Sequence, residues 1–567
     1  MRATARLQET THAQQWGAFL PVLSIGACVT LLWSLHLKDS ITPNVDFYGF
    51  YRIAEAIRDT ETPLSFKRAP LYTAMLVPVA EPETPTPAAI LLGRILSLVG
   101  YLLLSAALYA LMRRLTPRLA FPATLLFMLN PHYILFVALQ PLADSWLSFG
   151  AVLGSLSMLT GAWGLGVLGL LLSFNARYDG IAILPALLVR FREQWKRPVF
   201  WLSVAACLAP VALWLLWGWS ATGHLSPYVQ ETKEAGHSAW RFLAVMVYTW
   251  FASFLPQGVM LEETMFRMPN LALLGMFGVG SAGAILWGLW SLYQAGYRQF
   301  LASALAFAII YTALHMWFAA ALPRYTLPVN WLFYLGFAAF LERAFREGFN
   351  RLSVALLGLM TVPMLVALGL SDLKPLDWLA PIGFALLLGW AFWQALPRWA
   401  VALLPLGLTL ALYNSAAGRA YWVDAHLTRN AELVAFAEWY RKQPNPPRVA
   451  VFRWAWRHLV EVEQLPASHI LQMTPDAYAD PKKARQWLQA NHISHVLWNE
   501  SEYYFERAAK LNPTYVAMIR SFYTQAGISG SFIHKVHSKQ INGWRFVRKY
   551  ELGGRAAVLY EHASNDS

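Results

Sequence analysis

The chain carries run after run of apolar residues longer than a soluble interior uses. A stretch of about 18 residues with few or no charges is already long enough to cross a hydrocarbon core of about 30 Å. We place spans near 17–36, 88–112, 119–139, 143–160, 163–176, 179–191, 199–219, 271–293, 300–321, 326–342, 352–371, 379–396 and 399–416, about thirteen in all. The run at 179–191 is short, and reads as a tilted piece or as one half of a broken pair with 163–176. A further apolar segment, 241–256, has a long polar flank and reads as a re-entrant or interfacial piece, or as one more span. Over the whole chain 57% of residues are hydrophobic and 14% charged, a balance that leaves a soluble fold without enough polar surface to cover itself. The 26 Trp and 24 Tyr fit the same picture, because their rings favour the headgroup boundary.

Basic residues in short loops set the expected orientation. Arg113, Arg114 and Arg118 fall on one side with Arg190, Arg192, Lys196 and Arg197, then Arg298, then Arg343, Arg346 and Arg351, then Arg398. That side is shared with Arg2, Arg6 and the N-terminus, which is therefore expected to be cytoplasmic, with 17–36 an uncleaved first span. The long connections, 37–87 and 220–270, and the C-terminal region then lie outside. Chemistry is expected there, on loops held by a rigid scaffold.

The chain divides into a membrane part, 1–417, and an extracytoplasmic part, 418–567. In the second part charges are spread throughout, and the apolar runs have strand length: 449–452, 469–473, 494–498, 544–550 and 556–562. Helical stretches at 428–442 and 482–491 separate them, a pattern of a small soluble α/β domain. The expected fold class is thus an all-α polytopic membrane protein with a C-terminal α/β domain. The net charge of +13 follows from topology; no clustered basic face argues for nucleic acid. Cys28 and Cys207 both fall inside spans and read as small packing residues.

The first outer loop is the most informative stretch. Asp46 directly precedes a helical pattern in which Phe50, Ile53, Ala54 and Ile57 share a face, with Arg52, Glu55 and Arg58 elsewhere. The pattern reads as an amphipathic helix on the membrane surface, and Asp46 reads either as its N-cap or as a reactive carboxylate fixed at the helix start. Lys67 and Arg68 then precede Ala69, Pro70, Leu71 and Tyr72. A basic pair there can anchor a lipid phosphate or stabilise a phosphate leaving group.

Other polar residues fall at a common depth near the same face. They are Asn130, His132, Asp144, Arg177, Asp179, His315, Arg324 and Tyr325, with Arg94 about six residues, roughly 9 Å, below the outer end of its span. Ionisable groups inside a membrane are costly and mark functional sites by default, although a single one can serve only to bond a neighbouring helix.

Taken in order, these stretches resemble the GT-C glycosyltransferases, most closely protein O-mannosyltransferases, lipid A aminoarabinose transferases and related bacterial enzymes. The likeness rests on the Asp46 loop and helix, the basic-Pro segment at 67–72, QPLADSWLSFGAVLG at 140–154, GLLLSFNARYDGIAILPALL at 169–188 and LPRYTLPVNWLFYL at 322–335. It covers nearly the whole membrane part and gives no match to the C-terminal region. The resemblance implies a sugar donor carried on a polyprenyl phosphate or pyrophosphate, and transfer to a lipid, glycan or protein acceptor at the outer face, with membrane lipids as the surroundings. A bacterial inner membrane is the expected location, with the C-terminal domain periplasmic. The family's catalytic Asp falls on Asp46, and its basic-Pro-Pro segment on Arg68, Ala69 and Pro70. Here Ala69 replaces the first proline, and Lys67 stands where some relatives are acidic. A divalent metal remains open; Asp46 and Glu55 alone offer a hard cation too few oxygens.

The chemistry follows from the residue types. A carboxylate such as Asp46 can take the proton of an acceptor hydroxyl as it attacks the anomeric carbon. Planar guanidinium groups bind the departing phosphate bidentately, which makes Arg68, Arg177 and Arg324 the donor-binding candidates, with Lys67, Tyr325 and His315 behind them. Asp144, His132, Glu55 and Arg94 are further candidates. Two other classes fit the span count: a polyprenyl-lipid-linked glycan ligase or polymerase, and a lipid or sugar transporter. The early Asp46 loop argues against the first. The lack of an internal repeat, and polar residues favouring one face, argue against the second.

Overall fold

The computed structural model describes residues 45–63, 66–81, 87–128, 140–223, 270–315, 323–370, 430–502, 530–552 and 555–563. The expected spans 17–36, 379–396 and 399–416, positions 224–269 of the loop 220–270, and Asn130 and His132 lie outside these residues.

Within them, helices occupy the stretches that the apolar runs marked. They are α1 (Val45–Arg58), α2 (Pro70–Leu76), α3 (Pro87–Leu115), α4 (Ala120–Met128), α5 (Asp144–Thr160), α6 (Trp163–Ala176), α7 (Ile183–Arg190), α8 (Pro198–Thr222), α9 (Asn270–Gln294), α10 (Arg298–His315), α11 (Leu327–Glu347) and α12 (Arg351–Leu370). The turns are written in the sequence. Pro198 opens α8, where a missing N–H costs nothing, and Gly161 closes α5 at φ +74°, a conformation a side chain disfavours.

Small residues let the helices approach closely. A Cβ added to Gly150 of α5 would lie 2.6 Å from the carbonyl oxygen of Gly169 in α6. At the crossing of α9 and α11, a Cβ on Gly288 would collide with the Gly336 carbonyl. Backbone-to-backbone contact of this kind gives van der Waals packing where lipid supplies no hydrophobic drive.

The outside of the bundle is apolar as well. Leu91, Ile95, Val99 and Leu103 form an exposed stripe at four-residue spacing on α3, and α8 exposes Val199, Leu202, Leu213 and Leu216. Among the described residues three helices are long and apolar enough to cross a membrane: Ala88–Leu115, Pro198–Thr222 and Gly275–Gln294. Several other expected spans are shorter than a crossing. Helix α5 has 17 residues, α6 has 14 and α7 has 8. Helices α6 and α7, joined by a 3-10 turn at Tyr178–Ala182, form a short hairpin, so the weak run at 179–191 is one arm of a broken pair. Arginine-bearing turns gather at one end of the bundle: Arg190 Nε donates to the Met158 carbonyl, and the Arg343 guanidinium reaches Gln294 at 3.2 Å.

Helix α1 finds partners inside the protein for its apolar residues: Phe47, Phe50, Tyr51 and Ala54 are buried in the main core with Tyr72 and Leu76. Ile53 packs separately with Phe66 and Trp214. Arg52, Glu55 and Arg58 stay partly or wholly exposed, as the amphipathic pattern implies.

The C-terminal region holds a five-stranded mixed sheet in the order β2-β1-β3-β5-β4. Its strands are β1 (Val449–Val451), β2 (Ile470–Gln472), β3 (His495–Asn499), β4 (Trp544–Leu552) and β5 (Arg555–His562), each on one of the five runs read as strands. Strand β1 runs parallel to β2 and β3, while β5 is antiparallel to β3 and β4. Helices α13 (Ala431–Arg441), α14 (Pro481–Ala490) and α15 (Phe532–His537) accompany it, and Phe436, Phe452, Tyr478, Leu497 and Phe532 fill a separate core. A short π-helical segment, Arg457–Val462, touches α1.

Candidate active site

Two ion-paired groups stand at the end of the bundle opposite the arginine-bearing turns. The first joins the start of α1 to the segment before α2. Helix α1 begins at Val45, so Asp46 lies in its first turn rather than ahead of it as an N-cap. Its Oδ1 accepts from Arg68 Nη2 at 2.6 Å. The two side chains keep 21% and 16% of their surface, so solvent and small solutes reach the pair. The Arg68 side chain passes over Gly49, where an added Cβ would lie 3.1 Å from Nε. Its guanidinium also faces the Phe50 ring at 5.3 Å. Lys67, half-buried, is next in the same segment.

The second group is buried among α5, the α6–α7 turn and α10. All three guanidinium nitrogens of Arg177 bond carboxylate oxygens: Nη1 to Asp144 at 2.7 Å, and Nε and Nη2 to Asp179 at 3.2 and 3.0 Å. Asp179 also accepts from the Tyr311 hydroxyl at 3.2 Å and lies 3.0 Å from His315 Nε2. His315 Nδ1 faces the Tyr311 carbonyl at 2.9 Å. The Tyr325 ring covers both side chains, 5.1 Å from the Arg177 guanidinium carbon and 5.4 Å from the His315 ring. Helix phasing explains the grouping: Tyr311 and His315 are four residues apart on one face of α10, and Asp144 opens α5 beside them.

The groups are linked through the main chain. The Tyr178 hydroxyl lies 2.7 Å from the Phe66 carbonyl and 3.1 Å from that of Arg68, and Trp214 Nε1 donates to the Arg68 carbonyl at 2.9 Å.

The remaining candidates separate from these groups. Glu55 bonds Arg52 at 2.6 Å, a surface pair one helical turn or more beyond Asp46. Arg94 is half-buried on α3, next to Gly93, whose carbonyl accepts from the Tyr72 hydroxyl. Arg324 belongs to the 3-10 turn Pro323–Thr326 that carries Tyr325. No three His, Cys, Asp or Glu side chains among the described residues are placed to share a metal ion. Asp46 and Glu55 each face an arginine, Arg68 and Arg52 respectively.

Sequence reading missed Tyr178, Trp214 and Tyr311. Tyr311 carried a signal, since it lies one turn from His315 on the same face. Trp214, inside an apolar run, carried none.

No family model matches the chain, and no curated protein sequence matches it. Its fold, however, is shared over nearly its whole length with solved membrane-enzyme structures. The solved structures it is similar to include ArnT from Cupriavidus metallidurans in the apo state, with a TM-score of 0.54 at 15% identity over 97% of this chain and 98% of that one. The same protein bound to undecaprenyl phosphate gives a TM-score of 0.52 at 14% identity over 94% of this chain and 97% of that one.

Proposed function

We propose that this chain is a membrane glycosyltransferase that moves a sugar from a polyprenyl-phosphate donor to an acceptor at the outer membrane face. The observation that carries the reading is the Asp46–Arg68 pair, a carboxylate and a guanidinium 2.6 Å apart and within reach of solvent, in a fold of this class. The structural neighbour's undecaprenyl phosphate supports the lipid class of the donor.

In this reading Arg68 and Lys67 hold the donor phosphate, with Arg324 in the turn that carries Tyr325. A phosphate that draws the Arg68 guanidinium to itself leaves Asp46 Oδ1 to face the acceptor. Asp46 then takes the proton of the acceptor hydroxyl while the hydroxyl oxygen bonds the anomeric carbon and the bond from that carbon to the phosphate oxygen breaks. Charge growing on the leaving phosphate meets cations already in place, which costs no reorganisation at the moment of reaction. The apolar exterior of the bundle gives the lipid tail a place to lie. The orientation that puts this end outside comes from the arginine-bearing turns at the other end, which basic-residue bias assigns to the cytoplasm. In this reading the C-terminal α/β region shares the outer side, since its segment Arg457–Val462 touches α1, and it helps to meet the acceptor.

The test uses the full chain in lipid nanodiscs, wild type and Asp46→Asn in parallel. Radiolabelled polyprenyl-phosphate sugars are supplied with a membrane extract as acceptor, and label leaving the lipid is followed. Transfer by wild type and its loss in a folded Asp46→Asn protein is the expected result. Equal transfer by both removes Asp46 from the mechanism.

A further inference from the structure

The Arg68 backbone is held more firmly than a loop residue needs. Its carbonyl oxygen receives two donors from distant parts of the chain: the Trp214 indole N–H of α8 at 2.9 Å and the Tyr178 hydroxyl of the α6–α7 turn at 3.1 Å. The Phe66 carbonyl, two residues earlier, lies 2.7 Å from the same Tyr178 hydroxyl, so a single O–H proton is shared between the two carbonyls. Phe66 itself is buried with its ring centroid 5.0 Å from that of Trp214 and 5.2 Å from that of Trp217. It sits directly on Gly218, where a Cβ would come within 2.7 Å of the ring. Segment 66–68 is thus seated on α8 by its side chain and tied at its carbonyls.

Tyr178 is itself fixed. Its sequence neighbours, Arg177 and Asp179, are the two members of the buried ion network that bond each other twice and reach Asp144, Tyr311 and His315. A tyrosine between two immobilised residues carries its hydroxyl to one place. A chain of contacts therefore runs from the network to Tyr178, to the Arg68 main chain, and through the Arg68 side chain to Asp46.

We propose that Tyr178 and Trp214 are positioning residues that set the Arg68 guanidinium for the donor phosphate, and that the Arg177 network serves to hold Tyr178 rather than to bind phosphate itself. This rests on the glycosyl-transfer reading above. Neither residue touches the reacting atoms. Their effect is exerted through where Arg68 stands, and misplacement of a catalytic cation by about 1 Å can cost on the order of 100-fold in rate.

The experiment is a coupling test in the full chain. Tyr178→Phe removes one donor and keeps the ring, and Trp214→Phe removes the other and keeps a smaller aromatic ring against Phe66. The double variant is expected to fold as wild type and to lose about 10- to 100-fold in transfer rate, with weaker binding of undecaprenyl phosphate measured directly. In an Arg68→Ala background the same two changes are expected to cost nothing further, because residues acting through one side chain are not additive. A loss that adds in full to that of Arg68→Ala overturns the proposal, and so does a double variant that matches wild type in transfer and binding. Failure of the underlying reading looks different: Arg68→Ala then transfers and binds lipid phosphate as wild type does, or wild type does neither.

Discussion

Two carboxylate–guanidinium groups share one end of this bundle and are built in opposite ways. Asp46 and Arg68 meet at 2.6 Å, and carboxylate and guanidinium alike retain surface, 21% and 16%. At Arg177, whose side chain keeps 21%, every guanidinium nitrogen is bonded, and it is the two carboxylates, Asp144 and Asp179, that are buried, keeping only 5% of their surface. A buried ion network is expensive to assemble and more expensive to break, since removing one member leaves uncompensated charge. An accessible pair costs little to separate. The difference teaches which cation can change partners during a reaction. Arg68 can exchange a carboxylate for a phosphate, whereas Arg177 would abandon two buried carboxylates to do so.

The largest expected effect falls on chemistry at the open pair. Asp46→Asn is expected to lower transfer by about 100- to 10,000-fold, the range for removal of a general base, with an unchanged melting curve. A variant that melts early would mean that the open pair is also structural. Next comes Arg177→Met, which strands Asp144 and Asp179 and is expected to cost about 3–5 kcal/mol, read as lost monodisperse protein and a lowered melting temperature in detergent. Should Arg177→Met fold normally and lose only lipid-phosphate binding, the contrast collapses and Arg177 becomes a ligand. A smaller effect is expected from Gly169→Ala at the α5–α6 crossing. An added Cβ would lie 2.6 Å from the Gly154 amide nitrogen, so the helices that carry Asp144 and Arg177 must part, at about 1–3 kcal/mol. Transfer and stability should then fall together.

The smallest effect lies in the C-terminal sheet. The His537 ring stacks flat on Trp498 at 3.7 Å, and burial together with nearby His534 pushes its pKa down to about 4. The unfolded chain binds this proton near pH 6.5, so stability from the neutral ring is fully present above pH 6.5 and declines as pH falls toward 4. Amide exchange at β3, corrected for intrinsic rates, should show increased opening across that window in wild type and a flatter response in His537→Phe. An equal slope in both would assign the pH response to other groups.

Much of the architecture was legible from local pattern. Apolar runs located the helices within a few residues, and alternation between short apolar runs and helical stretches located all five strands. Arg177 and His315 stood out because ionisable groups within apolar stretches are costly and are kept for a reason, and Asp46 and Arg68 because they mark the helix start and the basic segment before a proline in the first outer loop. The aromatic residues of helix α1 find partners in α2 that no local pattern names. The three helices of full crossing length were harder to tell from the shorter ones, since a run's hydropathy does not say whether two half-length helices will fold back as α6 and α7 do.

What the sequence determined by itself was which segments are helix or strand, which end of the bundle is basic, and which polar residues lie at one depth. These depend on periodicity and composition, which act over a few residues. Only the tertiary structure decided that Asp46 pairs with Arg68 while Arg177 takes Asp144 and Asp179, and that Tyr178 and Trp214 meet at one carbonyl. Apart from Arg177 and Asp179, which are two positions apart, those choices join residues 22 to 146 positions apart. Partner selection over such distances follows from how helices pack on small residues, and a one-dimensional pattern does not encode the crossing geometry.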